Sequence, residues 1–177
     1  AGACVACAAG LAKSAPAIAT CAACLPGHYA PTLPAGARYG ATFCTACEGG
    51  RHQSAAGRAS CSLCIAGTYV NTTASIDASE CAACPAGKYT AAQGSSKCHS
   101  CAKGHYGHFF RTVDHAGHCV KCPLGKYQEA DGVTKCDACA SGHYMSSTGG
   151  TVCQKCPAID DLRHWWTEGK AGAMICT

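Results

Sequence analysis

The sequence predicts small disulfide-rich repeats: an elongated rod of tandem Cys-x-x-Cys units, mostly loops and short β-hairpins, with no large hydrophobic core. Three observations carry this. Of 177 residues 19 are cysteine; 18 of them form nine Cys-x-x-Cys pairs, and Cys176 begins a tenth pair that is not completed. Glycine stands three residues after the second cysteine in eight successive units, at Gly10, Gly27, Gly50, Gly67, Gly87, Gly104, Gly125 and Gly142. Leu, Ile, Val and Phe together make only 20 residues, because 35 alanines and the cysteines inflate an apolar content of 48%. So few large apolar side chains cannot close a core, and cross-links are the substitute.

Second cysteines follow one another at steps of 17, 23, 17, 20, 17, 21, 17 and 17 residues, so short and long units alternate until Cys139. The full repeat is therefore two units, about 37 to 40 residues, of the kind that builds a one-dimensional array. Residues 1–156 read as about eight tandem units of 17–23 residues, and 157–177 as a divergent, truncated unit that holds both tryptophans.

Within a unit the glycine suits a tight turn with positive φ, and Pro85, Pro123 and Pro157 fix the chain just before that turn. Two residues later comes tyrosine in six units: Tyr29, Tyr69, Tyr89, Tyr106, Tyr127 and Tyr144. Each tyrosine is expected to lie against the disulfide and to supply most of its unit's apolar surface. The residues inside each Cys-x-x-Cys are mostly small, as in Ala22-Ala23, Thr45-Ala46 and Ala82-Ala83, so successive loops join through a very short bridge.

Three chemistries compete for Cys-x-x-Cys. Redox catalysis uses one such motif at a helix start within a βαβ unit, whereas these run through Gly- and Ser-rich loops. A four-cysteine zinc site fits the five gaps of 13 residues, but the other gaps run from 16 to 19 while the glycine element recurs regardless of gap length. A disulfide framework fits every unit and places the chain in an oxidising compartment, outside the cell or on its surface. Sequence alone permits several connectivities, including first with first and second with second cysteine across a repeat.

The segments Cys84-Pro-Ala-Gly-Lys-Tyr-Thr-Ala-Ala-Gln-Gly-Ser-Ser-Lys-Cys98 and Cys122-Pro-Leu-Gly-Lys-Tyr-Gln-Glu-Ala-Asp-Gly-Val-Thr-Lys-Cys136 resemble the cysteine-rich repeats of ephrin-receptor-like and tumour-necrosis-factor-receptor-like ectodomains. The resemblance covers residues 4–156 and implies extracellular, disulfide-laddered rods. It also implies that the second cysteine of one pair closes onto the first of the next. Applied to this chain, it implies Cys7–Cys21, Cys24–Cys44, Cys47–Cys61, Cys64–Cys81, Cys84–Cys98, Cys101–Cys119, Cys122–Cys136, Cys139–Cys153 and Cys156–Cys176, leaving Cys4 over. Each closure of about 15 residues is worth roughly 3 kcal/mol in the chain-entropy model, which would hold a chain without a core.

Other features bear on function. Asn71-Thr72-Thr73 is an N-glycosylation acceptor at the only asparagine. Between glycine and tyrosine sits a basic residue or histidine in six units (His28, Arg51, Lys88, His105, Lys126, His143), a cationic stripe suited to acidic glycans at a net charge of +4. His105, His108, His115 and His118 offer two His-x-x-His spacings to a divalent metal, with no regular element evident to aim them. Trp165 and Trp166 are interface candidates, since a chain without a core has little internal surface to cover them.

No run of about 18 apolar residues could cross a bilayer, and both ends read as cuts through a longer array. Carboxylates are scarce and scattered, with no phosphate loop and no serine elbow, so the chain reads as non-enzymatic and without cofactors. The leading expectation is a structural extracellular glycoprotein, a segment of a longer disulfide-stapled rod in a surface coat, appendage or filament. Its partners would be copies of itself or other extracellular structural proteins, and attached glycans, not nucleic acid. The alternative is a ligand-binding receptor or adhesion ectodomain.

Overall fold

The structure is a computed structural model, and it describes residues 6–13, 20–32, 41–108 and 118–157. Each repeat begins at the second cysteine of a pair, so repeats 1 to 8 start at Cys7, Cys24, Cys47, Cys64, Cys84, Cys101, Cys122 and Cys139. Every repeat makes one antiparallel hairpin. The strand that carries the residue before tyrosine and the tyrosine itself pairs with the two residues inside the next Cys-x-x-Cys. The hairpins are β1 (Leu11–Ala12) with β2 (Ala22–Ala23), β3 (His28–Tyr29) with β4 (Thr45–Ala46), β5 (Arg51–His52) with β6 (Ser62–Leu63), and β7 (Thr68–Tyr69) with β8 (Ala82–Ala83). They continue as β9 (Lys88–Tyr89) with β10 (His99–Ser100), β11 (His105–His108) with β12 (His118–Lys121), β13 (Lys126–Tyr127) with β14 (Asp137–Ala138), and β15 (His143–Tyr144) with β16 (Gln154–Lys155). No α-helix occurs among the described residues, which are disulfide-rich repeats of loops and small hairpins.

Eight disulfides close these loops: Cys7–Cys21, Cys24–Cys44, Cys47–Cys61, Cys64–Cys81, Cys84–Cys98, Cys101–Cys119, Cys122–Cys136 and Cys139–Cys153. Each runs from the second cysteine of one pair to the first of the next. Cys156 is itself disulfide-bonded, but the bond to Cys176 lies outside the described residues, as does Cys4.

The chain forms two compact units, Ala1–Ala83 with Ala92–Lys97, and Cys84–Ala91 with Cys98–Thr177. The same backbone scheme runs within each. The proximal glycine is the third residue of a four-residue turn, closed by the N–H of the fourth residue on the carbonyl of the first, as in Arg51 to Glu48 at 3.1 Å and His105 to Ala102 at 3.0 Å. Its φ is positive throughout, for example +87° at Gly50 and +76° at Gly104, as a type II turn requires.

Three further bonds tie neighbouring repeats. The Gly27 N–H donates to the Gln53 carbonyl at 2.7 Å, the Cys47 N–H to the Gly27 carbonyl at 2.8 Å, and the Ala74 N–H to the Cys47 carbonyl at 2.8 Å. The second unit repeats this at Gly104 to Gln128, Cys122 to Gly104 and Gly149 to Cys122, each 2.8 Å. One second cysteine thus spends both backbone polar groups on its neighbours, and six second cysteines, Cys24, Cys47, Cys64, Cys101, Cys122 and Cys139, are fully buried. Cys47, Cys101, Cys122 and Cys139 are each 0% exposed. Burying a backbone N–H and C=O without partners would cost about 1–3 kcal/mol each, so the bonds and the burial require one another.

The distal turn, ten residues after the second cysteine, also has positive φ, at Gly57, Gly94, Gly132 and Gly149. Its carbonyl lies directly over the proximal glycine two repeats earlier. A Cβ on Gly10 would overlap the Gly57 oxygen, one on Gly50 the Gly94 oxygen, one on Gly87 the Gly132 oxygen, and one on Gly104 the Gly149 oxygen. Repeats of like parity therefore touch backbone to backbone. Repeat 4 places Ala74 at this distal position, with φ +59°, and its oxygen covers Gly27.

The expected packing of tyrosine is only partly what the fold uses. All six repeat tyrosines are half-buried, and the deep position belongs to the residue after each: Ala30, Val70, Thr90, Gln128 and Met145 are all buried. Neighbours along a strand point to opposite faces, so that residue turns inward when the tyrosine lies along the side. Gln53 and Gln128 occupy this inner position alike. The Gln53 amide donates to the Ser60 carbonyl at 2.9 Å and accepts from the Ala55 N–H at 3.0 Å; Gln128 does the same with Lys135 at 3.1 Å and Ala130 at 3.0 Å.

Adding a methyl group at two glycines separates turn strain from the inter-repeat clash. Gly142 has no atom of the described residues within 4 Å of a Cβ position, whereas Gly104 meets the Gly149 backbone, and both have φ +76°. Gly142→Ala should cost about 1 kcal/mol, and Gly104→Ala clearly more, in denaturant unfolding of the oxidised chain. Ala74→Gly should stabilise by about 0.5–1 kcal/mol by removing left-handed strain. Equal losses at the two glycines would refute the backbone contact.

Candidate functional site

The residue four after the second cysteine opens each hairpin, and it divides by repeat parity. Arg51, Lys88 and Lys126, in repeats 3, 5 and 7, are exposed. His28, His105 and His143, in repeats 2, 6 and 8, are half-buried and share one hydrogen bond. Nδ1 lies 3.3 Å from the Pro26 carbonyl, 3.1 Å from that of Lys103 and 3.3 Å from that of Ser141 respectively. A carbonyl only accepts, so Nδ1 carries the proton and Nε2 is the outward basic atom. Thr68 takes the place in repeat 4, buried, with its hydroxyl donating to the Ile65 carbonyl at 2.8 Å. The six cationic residues are thus two sets: permanent charges in odd repeats and titratable imidazoles in even ones.

The histidine group distributes over β11 and β12. His105 pairs with Lys121, and His108 with His118, while His115 lies outside the described residues. Among the described residues no three metal-binding side chains come together. His99 lies instead beside Tyr89, with ring centroids 6.4 Å apart and planes tilted 55°. Trp165 and Trp166 also fall outside the described residues.

Asn71 is exposed, in the loop of repeat 4 that Cys64–Cys81 closes. This loop exceeds its short neighbours by three residues, since its disulfide spans 17 positions against 14 for Cys47–Cys61. The extra residues follow the distal turn as a 3₁₀ turn, Ala78–Glu80, so the backbone scheme survives the insertion. Reciprocal capping holds that turn. The Ser79 N–H donates to Asp77 Oδ1 at 2.8 Å, and the Ile76 and Asp77 N–H groups donate to Glu80 Oε1 at 2.9 and 3.2 Å.

Both carboxyls lie below the usual carboxylate range. For Asp77 the main cause is the bond from the Ser79 N–H, with a smaller contribution from His52; for Glu80 it is the bond from the Ile76 N–H. The Asp-x-x-Glu spacing at Asp77 and Glu80 signals this cap in sequence.

Residues 107–156 match the family model described as tyrosine-protein kinase ephrin type A/B receptor-like. The match takes in repeats 7 and 8 and the later part of repeat 6. No curated protein matches the chain. The chain thus resembles the receptor-like cysteine-rich repeat, and that module together with eight disulfides points to an extracellular receptor-type domain. No helix among the described residues is long and apolar enough to cross a membrane.

Two outcomes follow. Depressed carboxyl pKa values mean that the caps contribute fully above the ordinary carboxylate range and are lost as pH falls through it and below. Amide exchange at Ile76, Asp77 and Ser79 should therefore accelerate on acidification before the rest of repeat 4 opens. Disulfide closure further predicts that a strong chelator leaves the spectrum of the folded chain unchanged while a thiol reductant unfolds it; unfolding by the chelator alone would restore the zinc reading.

Proposed function

We propose that the chain is a non-enzymatic structural glycoprotein of the extracellular space or cell surface, a segment of a longer disulfide-stapled array that builds a coat, appendage or filament. The observation that carries this reading is the sameness of the repeats. One backbone scheme recurs from repeat to repeat within each unit, and loops of different length are accommodated beyond it. Such an array adds length without adding chemistry.

Exposed apolar side chains support lateral contacts: Leu25 is 72% and Phe43 70% exposed, and they flank the Cys24–Cys44 disulfide. Self-association or other extracellular structural proteins are the proposed partners, with Trp165 and Trp166 as further contacts and a glycan on exposed Asn71.

The second reading, a ligand-binding receptor or adhesion ectodomain, draws on the family match at residues 107–156. Electron microscopy of native, undigested material separates the two. Filaments or sheets with an axial repeat are expected, and glycopeptide mass spectrometry of the same sample should find Asn71 occupied. Isolated single particles would sink the structural reading and favour the receptor one.

A further inference from the structure

We propose that the second unit captures a linear anionic glycan, bearing sulfate or carboxylate groups, on two histidine–lysine rungs, His105 with Lys121 and His143 with Lys155, and holds it more tightly when the histidines are protonated. In both rungs the two residues are direct cross-strand partners. Directly opposed residues carry Cβ atoms about 4.5–5.5 Å apart, so each rung sets two cationic side chains together. The rungs belong to repeats 6 and 8, whose backbones meet where the Gly149 carbonyl covers Gly104. The Lys121 stem lies 3.5 Å from the Cβ position of Gly149, so the lysine of one rung runs over the distal turn of the repeat that carries the other.

The imidazoles are aimed by their Nδ1 bonds to Lys103 and Ser141, which leaves Nε2 to take up the proton and meet the ligand. Both lysines are exposed, and neither has an acidic partner among the described residues. The doubled cation is particular to these two repeats. His28 faces Ala46, Lys88 faces Ser100 and Lys126 faces Ala138.

The surrounding charge sets the direction of the pH effect. Around His105 stand Lys121 opposite, Lys103 two residues before it, Lys88 on the strand packed against β12, and Asp131, whose Oδ1 accepts the Lys103 N–H at 2.9 Å. Opposite His143 stands Lys155, and Cys139, whose N–H donates to the Gly125 carbonyl, follows the repeat 7 hairpin that carries Lys126 and Asp137. A bound anion beside an imidazole favours its protonated form. Binding therefore takes up protons, and affinity rises as pH falls through the histidine range. This inference goes beyond the structural reading and does not rest on it, because a coat and a receptor could both use such a site.

The test is calorimetric titration of the intact, oxidised chain with a short heparin fragment and with a polyuronate of equal length, at about pH 5.5 and about pH 7.5. About tenfold tighter binding at the lower pH is expected, with proton uptake read as a buffer-dependent heat; the tighter of the two glycans identifies the anionic group. The double variant H105Q/H143Q should lose the pH dependence and the uptake. K121Q/K155Q should weaken binding at both pH values, and K88Q/K126Q should keep the pH dependence. Non-reducing peptide maps establish that each variant retains its eight disulfides. Absence of binding by both glycans, an unchanged pH dependence in H105Q/H143Q, or equal binding of an acidic peptide of the same charge would each overturn the proposal.

Discussion

The fold depends on the backbone of one residue, the second cysteine of each pair. At Cys24, Cys47, Cys64, Cys101 and Cys122 the N–H donates to a glycine carbonyl in the repeat before, the C=O accepts from a distal turn in the repeat after, and the side chain closes the loop between them. Cys47 does all three, through Gly27, Ala74 and Cys61. A side chain of larger volume could fill the space but could not supply the covalent closure. A cysteine without its neighbours would leave two buried backbone groups unpaired. Disulfide and hydrogen bonds are therefore parts of one junction, and that junction replaces the core that the composition withholds.

From the junction follows the tolerance to length. In repeat 4 the added residues follow the distal turn, whereas in repeat 2 the Lys13 N–H donates to the Ala41 carbonyl, three residues before Cys44, so the added residues precede that bond. Repeat 4 shows the consequence, with its added residues folded into a capped 3₁₀ turn that leaves the bonds of Gln53, Val70 and Ala74 in place. The alternation of short and long steps has its counterpart in contacts between repeats of like parity, Gly10 with Gly57 and Gly104 with Gly149. From repeat 2 onward the side chains keep the same parity, lysine or arginine in odd repeats and histidine or threonine in even ones, while repeat 1 carries Leu11. Chemistry that differs between neighbours is thereby brought to repeats that touch.

How much of this could be read from the residues varies by position. The glycine at the proximal turn was legible because it recurs in every repeat, and its positive φ is a property of four consecutive residues alone. The distal turn recurs as well, at Gly57, Gly94, Gly132 and Gly149, but Ala74 interrupts it and its partner lies two repeats away. Tyrosine drew attention as the largest regular apolar group, whereas the buried position is the residue after it, where Ala30, Val70, Gln128 and Met145 share no chemistry. What they share is a backbone carbonyl that accepts from the previous repeat's glycine. The imidazole bond of His28, His105 and His143 was equally hidden, because it depends on the turn placing a carbonyl two residues back beside the ring.

The amino-acid sequence by itself determined the cysteine framework, the repeat boundaries, the tight turn and the shortage of core, since spacing, composition and local sterics act within a single repeat. The pairing of second with first cysteine was implied by resemblance, while spacing alone left other pairings open. Only the tertiary structure decided which glycines must lack a side chain, which residue after each tyrosine is buried, and that histidine and lysine share a rung in repeats 6 and 8 but in no other described hairpin. Those outcomes turn on hydrogen bonds and close approaches between repeats about 20 to 50 residues apart, distances over which no local pattern carries information.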